Sequence, residues 1–355
     1  MKKILLFLLC IYIFNISVYA KTFDASEYVL MDINSGRVFS SKDMNNPRLI
    51  ASITKIMTCI LVLENSELSS KVEVGEEILD MYGTNIYIEV GEVLTIEDLL
   101  YGLMLRSGND AAIVLSKSVF GSEDEFVKKM NEKAKILGMN NTIFNNPHGL
   151  DDNTKNYSTA YDMAILARYA YKNSEYRKII STKKYITKSN LKSYEWFNRM
   201  KLLGTYKFSL GGKNGYTPSA GKTLVSYASN NELNLIAVTL NDGNIYENQE
   251  TLFNNYFNKC KNYTIIDKNN FNIESSLINT SVYLKKSFIY PLCDDEYKNI
   301  STIVKMNNDN NKPEYIIIKL ANKEIGRVKI YYSNKKRDDL SLLQRIKNLF
   351  VGQSV

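Results

Sequence analysis

Apolar residues in positions 51 to 64, Ala-Ser-Ile-Thr-Lys-Ile-Met-Thr-Cys-Ile-Leu-Val-Leu-Glu, recur at three-and-four spacing through Ile53, Ile56, Met57, Ile60 and Leu61. That period predicts one buried helix with Ser52 at its N-terminal end. Earlier, the β-rich runs Glu27 to Met31 and Arg37 to Ser40 flank Asn34-Ser35-Gly36, a hairpin pattern. Helical periodicity dominates the middle of the chain. Thr95-Ile-Glu-Asp carries capping-box chemistry and starts a helix to about Leu105, followed by helices over Ala111 to Phe120 and Glu123 to Leu137, the last ending at Gly138. After the loop Asn146-Pro-His-Gly-Leu, the pattern repeats over Thr159 to Tyr171. Strands return at Lys222 to Ser229 and Leu233 to Leu240, with Asn230-Asn231 as the turn. Strands at both ends of a helical block predict one sheet closed by both ends of the domain with helices packed on it, an α/β (α+β) fold.

From about Asn262 the pattern changes to short β-rich runs at Ser281 to Leu284, Phe288 to Leu292, Thr302 to Met306, Tyr315 to Leu320 and Gly326 to Tyr332. Asn- and Lys-rich turns separate them, which predicts a small all-β domain over residues 261–333 with no catalytic set of its own. The tail, residues 334–355, puts Leu342, Leu343, Ile346, Leu349 and Phe350 on one helical face, ringed by Lys335, Lys336, Arg337, Arg345 and Lys347. Such a basic amphipathic helix is expected to lie on a membrane surface; the alternative is docking on the β module. At the other end, Met1 to Ala20 has Lys2 and Lys3, an apolar run from Ile4 to Ile16 and Val18-Tyr19-Ala20 as a cleavage site. It reads as a secretory leader, since the run is too short and too interrupted by Asn15 and Ser17 to span a bilayer. The expectation is a protein secreted across the cytoplasmic membrane and held peripherally on its outer face, with the α/β domain in residues 21–260.

Composition changes this picture little. With 45% hydrophobic residues in 355, the chain can build packed cores. The net charge of +7, or +5 once Lys2 and Lys3 leave with the leader, suits an anionic cell surface but is too dispersed to argue for nucleic acid. Of four cysteines, Cys10 lies in the leader and Cys59 inside the apolar helix, so any disulfide would have to join Cys260 to Cys293. A single histidine, His148, provides no cluster for zinc, and no cofactor motif occurs. His148 follows Pro147 in a turn and reads as serving the fold, and Trp196 reads as a packing residue.

The chemistry points to Ser52. Lys55 lies one turn up the same helix face, and an amine desolvated there loses basic strength, so the pair is an activated nucleophile in outline. Ser-x-x-Lys also occurs at Ser181, Ser189, Ser219 and Ser333, but only Ser52 opens an apolar helix. It alone precedes Ser107-Gly108-Asn109 and then Lys213-Asn214-Gly215, the sole Lys-x-Gly in the chain. That three-part order is the one found in penicillin-recognising serine enzymes. With Leu99-Leu-Tyr-Gly-Leu-Met-Leu-Arg-Ser-Gly-Asn-Asp-Ala-Ala, Asn146-Pro-His-Gly-Leu and Tyr157-Ser-Thr-Ala-Tyr-Asp-Met-Ala, the chain resembles the low-molecular-mass penicillin-binding proteins that act as serine-type D-alanyl-D-alanine carboxypeptidases, peptidase family S11.

The resemblance implies a β-lactamase/transpeptidase-like catalytic domain without cofactor, acting on peptidoglycan stem peptides and acylated by β-lactam antibiotics. It implies that Ser52 attacks, Lys55 takes its proton, Ser107 relays a proton to the leaving amine and Asn109 bonds the substrate backbone. Lys213 would meet the terminal carboxylate and depress the Lys55 pKa, while the N–H groups of Ser52 and Tyr216 form an oxyanion hole. Gly215 is expected to keep a strand edge clear for substrate. Asn214 departs from the family's usual threonine, and its amide is expected to face the substrate carboxylate beside Lys213. No Glu-x-x-Leu-Asn of the class A β-lactamase type follows, which argues against fast penicillin hydrolysis. A weakly active scaffold at the cell wall, or a D,D-endopeptidase or β-lactamase on the same site, stays open as an alternative.

Overall fold

The computed structural model describes residues 25–271, 280–307 and 312–336, so the leader and the tail beyond Lys336 lie outside the described residues. The chain divides into two compact units, one running to Asn230 and taking in Asn234–Asn255, the other made of Asn231–Leu233 and the residues from Tyr256 onward.

In the first unit a five-stranded sheet runs in the order Val38–Lys42, Glu27–Asp32, Leu233–Leu240, Gly221–Asn230, Ser209–Thr217. Glu27 pairs with Leu240 and Asp32 with Leu235, antiparallel, so the two ends of the domain close one sheet as the element order implies. All but one residue of Leu233–Leu240 are buried, because helices leave neither face of this central strand to solvent. Its entry turn uses Asn231 and Glu232, both with positive φ, one residue later than the sequence pattern places it.

The Lys55–Asn65 helix is buried all round from Lys55 to Val62, which makes it the middle of the helical layer. Helices Asn109–Phe120, Ala160–Ala170 and Ser174–Ser181 pack around it. The helix starting after Thr95 has its capping box: Thr95 Oγ1 accepts the Asp98 N–H at 3.1 Å and Asp98 Oδ2 accepts the Thr95 N–H at 2.9 Å. It stays α-helical only to Tyr101, short of the expected end at Leu105. Gly102–Arg106 form a π-helical turn instead, and Ser107 follows in the left-handed region at φ 68°. Gly102 is pressed so close to Ile86 that an added Cβ would lie 2.6 Å from Ile86 Cδ1, and such π-turns are common where a helix serves a site.

Periodicity does not reveal three further elements. The helix Ser174–Ser181 buries only Tyr176, Ile179 and Ile180, and the hairpin of Lys184–Lys188 with Ser193–Phe197 is short. The helix Ile245–Phe257 buries Asn248 and Gln249 among its apolar residues, which blurs the stripe. Gln249 earns its place by donating to the Leu224 carbonyl at 3.0 Å and Thr239 Oγ1 at 3.2 Å while accepting from Ser226.

The second unit pairs Cys260–Ile266 with Phe288–Cys293, runs Ile300–Met306, Pro313–Leu320 and Lys323–Lys329 as a meander, and pairs Thr280–Tyr283 with Tyr331–Lys336. Its core gathers Leu284, Ile316, Ile318, Val328 and Ile330. Cys260 and Cys293 face each other in register and form a disulfide, the only pairing the sequence leaves open. The last strand takes in Lys335 and Lys336, so these residues are in a strand and not in the expected tail helix.

Thr95→Ala removes one side of the capping box and is expected to lower unfolding free energy by about 1 kcal/mol, read as a shift of the urea midpoint without a change in slope.

Candidate active site

Ser52 sits in a 3-10 turn, Ala51–Thr54, that leads into the Lys55 helix, so the α-helix begins at Lys55 and not at Ser52. The Ser52 hydroxyl lies 3.2 Å from the Lys55 Nζ. Lys55 is fully buried, and its Nζ donates to Asn109 Oδ1 at 2.7 Å and to the His148 carbonyl at 2.6 Å. Both of these partners can only accept. A neutral amine has two N–H groups and one lone pair, so filling both acceptors turns the lone pair toward Ser52 Oγ. Burial holds the Lys55 pKa well below the ordinary lysine value, and the charge of Lys213 lowers it further against an opposing pull from Asp110.

Asn109 opens the helix Asn109–Phe120 and is 2% exposed. Its Oδ1 is taken by Lys55 and its Nδ2 donates to the Tyr82 carbonyl at 2.8 Å. In this structure it therefore holds the lysine, with its second N–H and second oxygen lone pair left over after these two bonds. The Ser107 hydroxyl, 7% exposed, makes no hydrogen bond among the described residues. Asp110 accepts N–H groups of Ile86 at 3.0 Å, Tyr87 at 2.8 Å and Ala111 at 2.8 Å, tying the neighbouring segment to this motif. The sequence motif did not point to that carboxylate; its signal is only that Asp110 adjoins Asn109.

The edge strand Ser209–Thr217 brings the third motif. Lys213 is 2% exposed and donates to the Asn214 carbonyl at 2.7 Å; burial, then the charge of Arg199, brings its pKa down to about 7. Strand alternation puts Lys213 and Gly215 on the face toward Ser52, with Asn214 and Tyr216 on the other. The Asn214 side chain accordingly faces the Tyr246 phenol, departing from its expected place beside the Lys213 amine. Tyr216 is 64% exposed. A Cβ at Gly215 would stand 2.7 Å from the Ser52 backbone nitrogen and 3.1 Å from Ala51 Cβ. The glycine is needed for the strand to approach the Ser52 turn, a nearer obstacle than the expected substrate.

His148 is more than a fold residue, because its carbonyl is the shortest partner of the Lys55 amine. Its ring is buried and accepts the Leu150 N–H at Nδ1, 3.1 Å away. Burial, then the nearby Lys55 charge, pushes its pKa to about 3, which keeps the ring neutral. No side-chain motif could announce a main-chain acceptor; the turn Asn146-Pro-His-Gly-Leu was the available signal.

A half-buried serine on a fully buried lysine, between a central helix and a glycine-bearing sheet edge, on this sheet order, defines the penicillin-binding-protein fold. The structure is similar to penicillin binding protein 5 from Haemophilus influenzae over 90% of this chain and 99% of that one, with TM-score 0.73 at 24% identity, a likeness of fold. It is also similar to the D-alanyl-D-alanine carboxypeptidase DacD from Francisella tularensis over 88% of this chain and 94% of that one, with TM-score 0.70 and 25% identity. The family model for D-alanyl-D-alanine carboxypeptidases matches residues 15–244, and the chain belongs to that family, peptidase family S11. Among curated relatives, D-alanyl-D-alanine carboxypeptidase DacF of Bacillus subtilis (strain 168) is 38% identical over 221 residues, 61% of this chain and 57% of the relative. DacC of Escherichia coli (strain K12) is 33% identical, over 63% of this chain and 58% of its own. The chain thus spans a little over half the length of the curated relatives it matches.

Gly215→Ala is expected to push the edge strand off the Ser52 turn, lowering stability by about 1–3 kcal/mol and slowing covalent labelling by a fluorescent penicillin. A variant with wild-type melting and labelling would refute the close-approach argument.

Proposed function

We propose that this protein is a D-alanyl-D-alanine carboxypeptidase that removes the last D-alanine from peptidoglycan stem peptides through an acyl-serine, and that penicillins acylate the same serine. The observation that carries the reading is the fully buried Lys55, whose two acceptor partners leave its lone pair for Ser52. Ser52 Oγ bonds to the carbonyl carbon between the two D-alanines while its proton passes to Lys55. The N–H groups of Ser52 and Tyr216 receive the developing oxyanion. The C–N bond then breaks, and the proton held on Lys55 reaches the departing amine by way of the Ser107 hydroxyl. Water attacks the acyl carbonyl carbon, giving up a proton to Lys55, and as the C–Oγ bond breaks Lys55 returns that proton to Ser52 Oγ, which restores the neutral pair. Lys213 meets the substrate carboxylate, Gly215 keeps the strand against the Ser52 turn, Asn214 faces Tyr246 on the other side of the strand, and Asn109 serves by keeping Lys55 in place.

The location follows from the two ends. Residues 1–20 direct export, and the basic tail holds the protein peripherally on the outer face of the cytoplasmic membrane, next to nascent wall peptide. In chain order the second unit, a small all-β domain, follows the catalytic domain and precedes the tail. A disulfide in that unit accords with an oxidising compartment.

The test offers the purified chain from Lys21 onward a fluorescent penicillin and, separately, a D-alanyl-D-alanine peptide. Labelling with release of D-alanine is expected, and Ser52→Ala should abolish both; labelling without release would replace the carboxypeptidase by a binding scaffold. The pH dependence provides a second check. Acylation needs neutral Lys55 and falls as pH drops through its pKa. Lys213, charged below about pH 7, holds that pKa down. Removing its charge raises the Lys55 pKa, so Lys213→Met should move the acid limb of the penicillin acylation rate to higher pH. A limb that stays in place would remove Lys213 from the tuning of Lys55.

A further inference from the structure

The His148 carbonyl fixes where one Lys55 N–H points, yet it belongs to a loop with no regular structure. What holds that loop is a pair of buried asparagines. Asn146 Oδ1 accepts the N–H groups of His148 at 3.2 Å and Gly149 at 2.6 Å, and its Nδ2 donates to the Leu150 carbonyl and Thr154 Oγ1, each at 2.9 Å. Asn156, 2% exposed, grips Asn146 in turn. Its Oδ1 accepts the N–H groups of Asn145 at 2.7 Å and Asn146 at 3.2 Å, and its Nδ2 lies 3.0 Å from the Asn146 carbonyl. The same Nδ2 reaches Thr54 Oγ1 at 3.0 Å. Thr54 stands between Ser52 and Lys55 in the chain and is fully buried. One amide therefore spans the turn that carries the nucleophile and the loop that carries the acceptor of the base.

We propose that Asn156 is a positioning residue for acylation: it locks the His148 carbonyl to the Ser52–Lys55 turn and thereby aims the Lys55 lone pair at Ser52. The inference rests on Lys55 being the general base, as proposed above. Two features make the lock rigid. Thr58 Oγ1 donates to the Pro147 carbonyl at 2.6 Å, which ties the peptide before His148 to the next turn of the same helix. Gly149 has φ 89° and lies so close to the turn that an added Cβ would be 2.1 Å from the Ala51 carbonyl oxygen. With the loop seated this tightly, the amide of Asn156 is the side-chain link from Thr54 to the Asn145–Asn146 peptide. If it is removed, Thr58 and the Gly149 contact still seat the loop, but the turn at Thr54 loses its side-chain link to the Asn145–Asn146 peptide, and the His148 carbonyl is free to shift relative to Lys55. Lys55 then keeps its Asn109 acceptor, and its lone pair is no longer held to one direction. Binding of substrate, which does not use these groups, should be unaffected.

The experiment measures penicillin acylation by stopped flow, separating the maximal acylation rate constant from the dissociation constant of the non-covalent complex, for wild type and three variants of the chain from Lys21 onward. Thr54→Val is nearly isosteric and removes only the oxygen that Asn156 reaches; Asn156→Ala removes the whole lock. Asn131→Ala is the control for loosening alone, since Asn131 clamps Phe144 in the same segment through its N–H and carbonyl at 3.0 and 2.7 Å without touching Asn146 or His148. The expected result is a maximal rate lowered about tenfold to a hundredfold in Asn156→Ala, and lowered in the same sense by Thr54→Val, with the dissociation constant unchanged. Asn131→Ala should lower the melting temperature and leave the rate as in wild type. If Asn156→Ala proves unfolded by circular dichroism, Thr54→Val alone decides. A wild-type rate constant in Thr54→Val and in any folded Asn156→Ala, or an equal loss in Asn131→Ala, overturns the proposal. Failure of the wild-type protein to be acylated at Ser52 would instead overturn the functional reading on which it rests.

Discussion

An amine buried without a carboxylate beside it is the condition that the site is built to meet. Taking a charged ammonium out of water costs several kcal/mol, so a lysine in the position of Lys55 either acquires a counter-ion or gives up its proton. Here the direct partners are a carbonyl and a side-chain amide oxygen, and the nearest carboxylate of influence, Asp110, spends itself on backbone N–H groups. A second buried cation, Lys213, adds repulsion. Burial and the Lys213 charge together outweigh the opposing pull of Asp110 and favour the neutral amine. They also dictate much else: Asn109 must face inward, the 146–149 loop must lie against the Ser52 turn, and the edge strand must come close enough to seal the pocket.

Much of this was legible in the sequence. The apolar period around Ser52 located the central helix, and the order of strands and helices implied a sheet closed by both ends of the domain. The three short motifs do converge: Lys55 touches both Ser52 and Asn109, and the strand of Lys213 abuts the Ser52 turn through Gly215. What could not be read was of two physical kinds. Backbone irregularity is one, as in the 3-10 turn that moves the helix start to Lys55 and the π-turn that delivers Ser107, since both depend on contacts such as Gly102 against Ile86. The other is the use of main-chain acceptors and amide side chains. The His148 carbonyl has no residue signature, and Asn109, Asn146 and Asn156 are composition-neutral polar residues until their burial is known.

The same reasoning explains where residue roles shifted. Asn109 and Asn214 were each expected to reach a ligand, because motif order carries no information about which side of an element a side chain occupies. Helix and strand periodicity decide that: one amide is turned to Lys55 and Tyr82, the other lies on the strand face of Tyr216. A glycine in a strand can clear space for a ligand or for a neighbouring backbone, and only the distance from Gly215 to Ser52 distinguishes the two.

The cysteines of the described residues have a consequence for how the chain folds. Cys260 and Cys293 are register partners on adjacent strands of one unit, whereas Cys59 sits fully buried in the central helix of the other. Burial pushes the Cys59 thiol far above its ordinary pKa, so it offers almost no thiolate to attack a disulfide. Exchange between the units is thereby blocked once the first has formed its core. Before that point the Cys59 thiol is an ordinary one, and the order in which core formation and oxidation occur determines whether the chain reaches its native pairing without the help of an isomerase.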